Sequence, residues 1–278
     1  MLTTLLIDFH THSSASDGDL APRVLLERAI AAGVTAMAIT DHDSIAGYQA
    51  VQSSTGSSIQ LISGVEMSCV WGATTIHVVG LGFDPQSPVM DSALDALHNA
   101  RRERSVTIAE RLASRQVVGA LEGARAVAGE SQIGRPHFAR WMVSEGYVPD
   151  MNTAFKKYLG QGKLGDVKTF WPSLNEVVGA ISDAGGLAIL AHPLKYSFTR
   201  MKLGGLCNAF KDAGGVALEV LNGRQTPADT SQLKQLASHW GLQISAGSDF
   251  HREWQYGADL GVDTAIAGTM PAVWEHLL

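Results

Sequence analysis

Short apolar runs alternating with helix-patterned stretches constrain this chain more than any other feature. The runs LLIDF, AMAIT, QLISGVEMS, IHVVGLGF, LAILA, VALEVL and LQISAG are each bounded by polar residues or glycine. Between them the apolar residues recur at helical spacing, as in RVLLERAIAA, SLNEVVGAISDAGG and SQLKQLASHWG. Pro22 and Gly33 bracket the first of these helices, a start and a stop signal. Parallel strands need a crossover between them, usually a helix, so this alternation predicts an α/β fold with a largely parallel sheet, open or closed into a barrel. At 278 residues, 45% of them hydrophobic and 17% charged, the chain has the core material for one such barrel. No repeat of fixed period is present, which sets solenoids aside.

One region breaks the alternation. From about residue 88 to 165 strand signals vanish, and MDSALDALHNARRERSVTIAERLASR, ARWMVSEG and NTAFKKYLG all read as helices. This predicts a helical insertion at 88–165, with 1–87 and 166–278 forming the barrel. Arg101, Arg102 and Arg104 form the densest positive cluster and read as a solvated helix face. IGRPHFAR and KYLGQGK are different, because they set cations beside glycine or proline turns, where side chains and backbone N–H groups converge on an anion.

The ionisable residues collect at the ends of the apolar runs. LLIDF leads to His10, His12 and Asp17, and the run before Asp41-His42-Asp43 is AMAIT. Glu66 follows LISGV, His192 follows LAILA, and Asp249 and His251 follow LQISAGS. In an α/β barrel the C-terminal strand ends share the face that carries the active site. His77 lies at the start of its run, so its strand must enter from the other direction or through a bend.

Imidazoles with carboxylates and no thiolate suit Zn, Mn or Fe(II). His10 and His12 point to one side of an extended segment and can grip one ion as a pincer. Nine such groups exceed the shell of a single ion, so two or three ions are expected. Asp8, Asp41 and Asp43 adjoin these residues and are expected to orient the imidazoles. His98, His239 and His276 lie in helical or terminal contexts and read as structural. Cys69 reads as a small buried residue.

Net charge of −6 argues against a broadly basic nucleic-acid surface, although bound cations can reverse the local sign. Cys69 and Cys207 form no CxxC, which fits a reducing compartment. The first apolar stretch breaks at Asp8 without a basic flank, and no run approaches the ~20 apolar residues of a membrane span. The expectation is a soluble, cytoplasmic protein with no membrane contact and no obligatory protein partner.

HTHSSASDG, AITDHDSIAG, GVEMS, IHVVGLGFD, LAHP and GSDFH resemble, in order, the signature segments of the PHP (polymerase and histidinol phosphatase) family. GRPHFAR, FKKYLGQGK, ALEGARAVA and CVWGATTIHVVGL resemble one subgroup, which holds nucleoside 3′,5′-bisphosphate phosphatases and 5′→3′ exoribonucleases of the RNase AM type. The resemblance implies a distorted (β/α)7 barrel with a helical insertion and a centre of three divalent ions, most often Mn²⁺, with Zn²⁺ or Fe²⁺ as alternatives. It assigns His10, His12, Glu66 and Asp249 to the first ion. Glu66 then bridges to a second ion held by His77 and His192, and Asp17, His42 and His251 hold the third.

The implied reaction is phosphate-ester hydrolysis by water that the ions activate, with Glu66 and Asp249 as the catalytic carboxylates acting through that centre. Arg135, His137, Lys163 and Lys195 are the residues expected to bind a second phosphate or a nucleic-acid backbone. The expected substrates are nucleoside 3′,5′-bisphosphates and 5′-phosphorylated short RNA or DNA. Three other readings stand beside this one: a histidinol-phosphatase-like enzyme for small monoesters, a metal-dependent amidohydrolase, and a non-catalytic metal-binding module.

Overall fold

The apolar runs become strands and the periodic stretches become helices in a computed structural model, which describes residues 5–54, 58–253 and 257–278. The first half runs β1 (Leu6–Asp8), α1 (Pro22–Ala31), β2 (Ala36–Ala38), α2 (Ala46–Val51), β3 (Gln60–Ile62), β4 (Gly64–Trp71) and β5 (Thr74–Leu81). Helices α3 (Pro88–Ala113), α4 (Ala120–Ala128), α5 (Arg135–Ser144) and α6 (Met151–Ala154) follow. Helix α6 runs straight into a π-helical turn at Phe155–Leu159. Alternation then resumes with α7 (Leu174–Asp183), β6 (Leu187–Leu190), α8 (Arg200–Asp212), β7 (Ala217–Asn222), α9 (Pro227–Trp240) and β8 (Gln243–Gly247), before β9 (Val262–Asp263) and α10 (Trp274–Leu277).

The strands form two sheets, ordered β3-β2-β1-β9 and β4-β5-β6-β7-β8. Their edges meet at both ends. Only Ser63 separates β3 from β4, and a parallel bridge ties His42, just past β2, to Glu66 in β4. On the other side a bridge from Thr11 to Phe250 and a hydrogen bond from the Phe9 N–H to the Ala246 carbonyl join β1 to β8. Counted with β3–β4 as one bent strand and without β9, which pairs with the start of β1, the ring has seven staves, and the fold is a distorted (β/α)7 barrel.

The distortion has a local cause. Strands β4 and β5 are joined by a tight turn in which Gly72 takes φ +57°, a conformation that favours glycine. A hairpin makes β5 antiparallel to β4, and it is antiparallel to β6 as well. The chain therefore enters β5 from the face at which the other strands end. His77 lies in the first half of its strand for that reason.

Three apolar clusters hold the molecule. The largest fills the barrel and the space under α7, α8 and α9; a second packs Leu25, Leu26 and Ala29 of α1 against Met37 and Ile39. The third lies among the inserted helices around Ile108, Leu112, Phe138, Met142 and Leu159. Helix α3 serves two of them: Met90, Leu97 and Ala100 pack on the barrel, and Ile108 and Leu112 lie in the separate core. One long helix thus carries the inserted segment away from the barrel. Helix α7 starts with a reciprocal cap, since the Ser173 N–H donates to Glu176 and the Glu176 N–H donates back to Ser173 Oγ.

The seam between β1 and β8 is tightly packed near the strand ends. A Cβ on Gly247 would lie 2.3 Å from the Cβ of His10 and 2.5 Å from its backbone nitrogen, so the two strands would have to part. Gly247→Ala is expected to destabilise the fold by about 2–3 kcal/mol, lowering Tm by roughly 5–10 °C in a thermal melt. An unchanged Tm would show that the seam has slack.

Candidate metal centre

Strand ends place most side chains of the site, and Glu66 and His77 lie within β4 and β5. Thr11 pairs with Phe250 in the seam, so His10 and His12, one residue to either side, share the opposite face. The seam continues beyond the strands: the Asp249 N–H donates to the His10 carbonyl and the His12 N–H to the Phe250 carbonyl, both at 2.8 Å. Ser68 is the register partner of His77, which makes Glu66 and His77 diagonal neighbours on one sheet face. The backbone is unusual where the site is built. Asp43, His192 and Asp249 take φ of 52°, 29° and 54°, conformations that cost non-glycine residues energy and cluster at functional sites.

Glu66 is the centre of the arrangement. Its Oε2 lies 3.4, 3.3 and 2.9 Å from nitrogens of His10, His12 and His42. Its Oε1 lies 3.0 Å from His77 Nδ1 and 2.8 Å from His192 Nε2. Asp249 Oδ1 lies 3.5 and 3.2 Å from the Nε2 atoms of His10 and His12. Asp17 forms a third corner, 3.4 Å from His251 Nε2 and 3.9 Å from His42 Nε2. The sequence-expected ligands therefore all meet in one cluster.

The donor atoms suit metal ions better than one another. His10 Nε2, both ring nitrogens of His12, His42 Nδ1, Asp17 Oδ1 and Glu66 Oε2 are buried without a hydrogen-bond partner, although they crowd together. Buried polar groups are normally satisfied, so converging orphans of this kind point to cations. Three groups have ligand atoms within 4.8 Å of one another: His12, Asp17, His42 and His251; His10, His12 and Glu66; and His42, Glu66 and His77.

Charge separates the imidazoles. Burial opposes protonation of His12, yet the negative charges of Asp249 and Glu66 beside its ring hold its pKa up at about 10. His10 is also raised, against its burial, by Glu219, Glu66 and Asp249. His42 goes the other way: burial takes it down to about 4 despite Glu66 and Asp17. Burial works against ionisation of Glu66, Asp249 and Asp17 as well, but the surrounding cationic groups hold all three below the carboxylate range. His42 is thus a ready ligand, whereas His12 must give up a proton.

The carboxylates expected to orient imidazoles act on other groups. Asp8 accepts the Ser248 and Gly261 N–H groups, and burial pushes its pKa up to about 6. Asp41 holds the Ser13 N–H and the Ser13 and Ser16 hydroxyls. Asp43 accepts the Ser68 N–H and Arg101 Nε. The orienting carboxylate is Glu219, 2.8 Å from His10 Nδ1 and also accepting the His192 N–H and the Asn222 amide. Its signal was an acidic residue inside the otherwise apolar VALEVL.

Arg101 and Arg104 are likewise not on a solvated face. They are 8% and 6% exposed and stack over Trp171 at 5.4 and 5.1 Å from its ring centre. Leu97, Arg101, Arg104 and Ile108 are spaced as one helix stripe with buried ends, a pattern that places both arginines inward. With Arg135, Asp17, His42, His77, Phe155 and Trp171 they line a cavity of ≈ 140 Å³. Arg135 starts α5 and donates to the Leu159 carbonyl. His137 is buried, and its Nδ1 accepts the Gly134 N–H, closing the turn that presents Arg135. Lys195 contacts Asp249 from the rim. Lys163 is exposed in the turn after Gly160, and it is not among the cavity-lining residues.

A barrel whose strand ends converge imidazoles and carboxylates on buried, unpartnered donor atoms defines a metal-dependent hydrolase. The chain belongs to the PHP family: the model named PHP domain matches residues 8–118, and relatives align along nearly the whole chain. It is 38% identical over 273 residues to a 3′,5′-nucleoside bisphosphate phosphatase of Chromobacterium violaceum, covering 98% of this chain and 96% of that one. It is 38% identical over 274 residues to the 5′-3′ exoribonuclease Rnm of Escherichia coli, covering 98% and 93%. Among solved structures, an amidohydrolase from Chromobacterium violaceum with bound sulfate and no metal superposes with a TM-score of 0.88 at 37% identity, covering 98% and 95%. A metal-dependent phosphoesterase from Bifidobacterium adolescentis superposes at 0.79 and 27%, covering 94% of each chain. Among the described residues no helix is long and apolar enough to cross a membrane.

Two outcomes follow from the site. Because His12 is held near 10, Mn²⁺ uptake by the metal-free protein at neutral pH is expected to release protons and to strengthen as pH rises. Calorimetric titration in buffers of different ionisation enthalpy reads this directly; identical heats would contradict it. Glu219→Gln is expected to weaken metal affinity about 10–100-fold, because His10 loses the carboxylate that fixes its ring. Chelator competition measures that loss.

Proposed function

We propose that the protein is a metal-dependent phosphoesterase that removes phosphate from nucleoside 3′,5′-bisphosphates and nucleotides from the 5′ end of 5′-phosphorylated short RNA or DNA. The observation that carries this reading is the cavity shared by Asp17, His42 and His77 with Arg101, Arg104 and Arg135. Burial and mutual repulsion with Arg101 press against the charges of Arg104 and Arg135, with Asp166 as a counter-charge to both. An anion held there would relieve that repulsion, leaving a second phosphate at the metal face. The two relatives, named as a bisphosphate phosphatase and a 5′-3′ exoribonuclease, share this chemistry.

In this reading His10, His12, Glu66 and Asp249 hold one ion, Glu66 with His77 and His192 a second, and Asp17, His42 and His251 a third. Six imidazoles in the set favour Mn²⁺, Zn²⁺ or Fe²⁺ over the all-oxygen preference of Mg²⁺. When bound, divalent ions activate water and neutralise charge that develops on phosphate oxygens. Glu66 and Asp249 hold the ions in register, and Glu219 fixes the ring of His10. Arg135 grips the phosphate that is not cleaved, since its planar fork binds two oxygens at once. His137 fixes the Arg135 turn, Lys195 meets phosphate at the rim, and Lys163 reaches the backbone of longer substrates. Residues 88–165 act as the lid that brings these groups over the barrel of 1–87 and 166–278. Two free, buried cysteines suit a cytoplasmic setting.

A small-monoester phosphatase of the histidinol phosphate type would leave the arginines without a second anion. Arg135→Ala is therefore expected to lower kcat/KM on a nucleoside 3′,5′-bisphosphate by about 2–4 kcal/mol. Hydrolysis of p-nitrophenyl phosphate, which has no second phosphate to lose, should change far less. Phosphate release on both substrates measures this, and an equal drop on the two would contradict the role.

A further inference from the structure

A second group of arginines lines a cleft that meets the metal-face cavity at Arg101. On α3, the adjacent pair Arg101 and Arg102 lies three or four residues from both His98 and Ser105, so the four share one side of the helix. Across from them stand Arg125 of α4 and the loop from Gly129 to Ile133, and together they line a cleft of ≈ 170 Å³. No carboxylate is among its lining residues. Arg102 and Arg125 are exposed, and their guanidiniums have no ion pair or hydrogen bond among the described residues. Gln132 is fixed by donating to the Asp43 carbonyl, and its own Oε1 is buried without a partner.

Arg101 links this cleft to the metal face, because it lines both cavities. Its position is set from below: Nε donates to Asp43 at 2.6 Å and the guanidinium stacks on Trp171. One fixed guanidinium therefore separates the two anion-seeking spaces. The chain as a whole is acidic, at −6, so uncompensated cations converging from two helices stand against the general surface. Arg102 and Arg125 are not among the residues that line the metal-face cavity.

We propose that the α3–α4 cleft is a track for the backbone of a single-stranded oligonucleotide whose 5′ end lies at the metal face. This inference rests on the reading of the protein as a phosphoesterase that accepts 5′-phosphorylated oligonucleotides. Arg102 and Arg125 bind a downstream phosphodiester. The contacts go to phosphate, so they confer affinity and length dependence rather than base sequence. They also make the longer substrates salt-sensitive, since each neutralised phosphate releases counterions.

The test is the double variant Arg102→Gln/Arg125→Gln, prepared as holoenzyme. On a 5′-phosphorylated pentaribonucleotide kcat/KM is expected to fall at least tenfold, and its log–log salt dependence to flatten by about one. On a nucleoside 3′,5′-bisphosphate kcat/KM should stay within twofold of the unaltered enzyme. An unchanged pentanucleotide rate would overturn the track, and an equal fall on both substrates would reduce the arginines to a structural role. Binding of a pentaribonucleotide with a non-hydrolysable 5′-terminal linkage, read by fluorescence anisotropy, separates this inference from the functional reading. A tenfold binding difference without turnover by the unaltered enzyme would keep the track and remove the reading. Turnover without a binding difference would do the reverse.

Discussion

Everything in this site depends on burying one carboxylate. Glu66 is 1% exposed and has five imidazoles within 3.4 Å of its two oxygens. A lone buried charge is strongly unfavourable, and imidazoles at that range satisfy it as N–H donors, as cations or as co-ligands of a metal ion. The barrel must close to bring them there, because the five come from the ends of β1, β2 and β6 and from within β5. Closure in turn runs through the same residues: the His42–Glu66 bridge is one seam, and the Asp249-to-His10 backbone bond lies in the other. Fold and site are one problem in this protein, since neither seam can move without moving a ligand atom.

Around that centre the remaining buried acids hold backbone. Asp8 ties the Ser248 and Gly261 N–H groups, Asp41 ties Ser13, and Asp43 ties Ser68. Asp8 and Asp41 anchor loops that carry ligands, and Asp43, from a positive-φ position, anchors the strand that carries Glu66. Such strain persists where the surroundings over-determine the conformation. Glu219 completes the set from β7, the strand whose end supplies no ligand to the cluster.

The inserted helices add charge of the opposite sign. Their own apolar core lets α3 run on beyond the barrel, and the stripe it turns inward carries arginines where a purely structural helix would carry leucines. Trp171 lies beneath two guanidiniums and Asp43 neutralises one of them. The cationic surplus that remains sits beside the acidic metal cluster, an arrangement suited to a ligand that is itself an anion with more than one charged group.

The sequence by itself determined the strand and helix alternation, the helical segment after β5, and the eight candidate ligands that follow apolar runs. Those are local properties: hydrophobic period sets the elements, and chain order sets which residue follows each strand. His77 was legible too, because its place at the start of an apolar run required a strand of opposite direction. The partners of Asp8, Asp41 and Asp43 were not legible, since acids beside histidines in sequence proved to reach loops far away in the chain. Nor was the inward turn of Arg101 and Arg104, which looks like any charged helix face until the barrel and Trp171 cover it. Glu219 lies 209 residues from the histidine it orients. Such pairings depend on which strands become neighbours when the ring closes, and only the tertiary structure decides that.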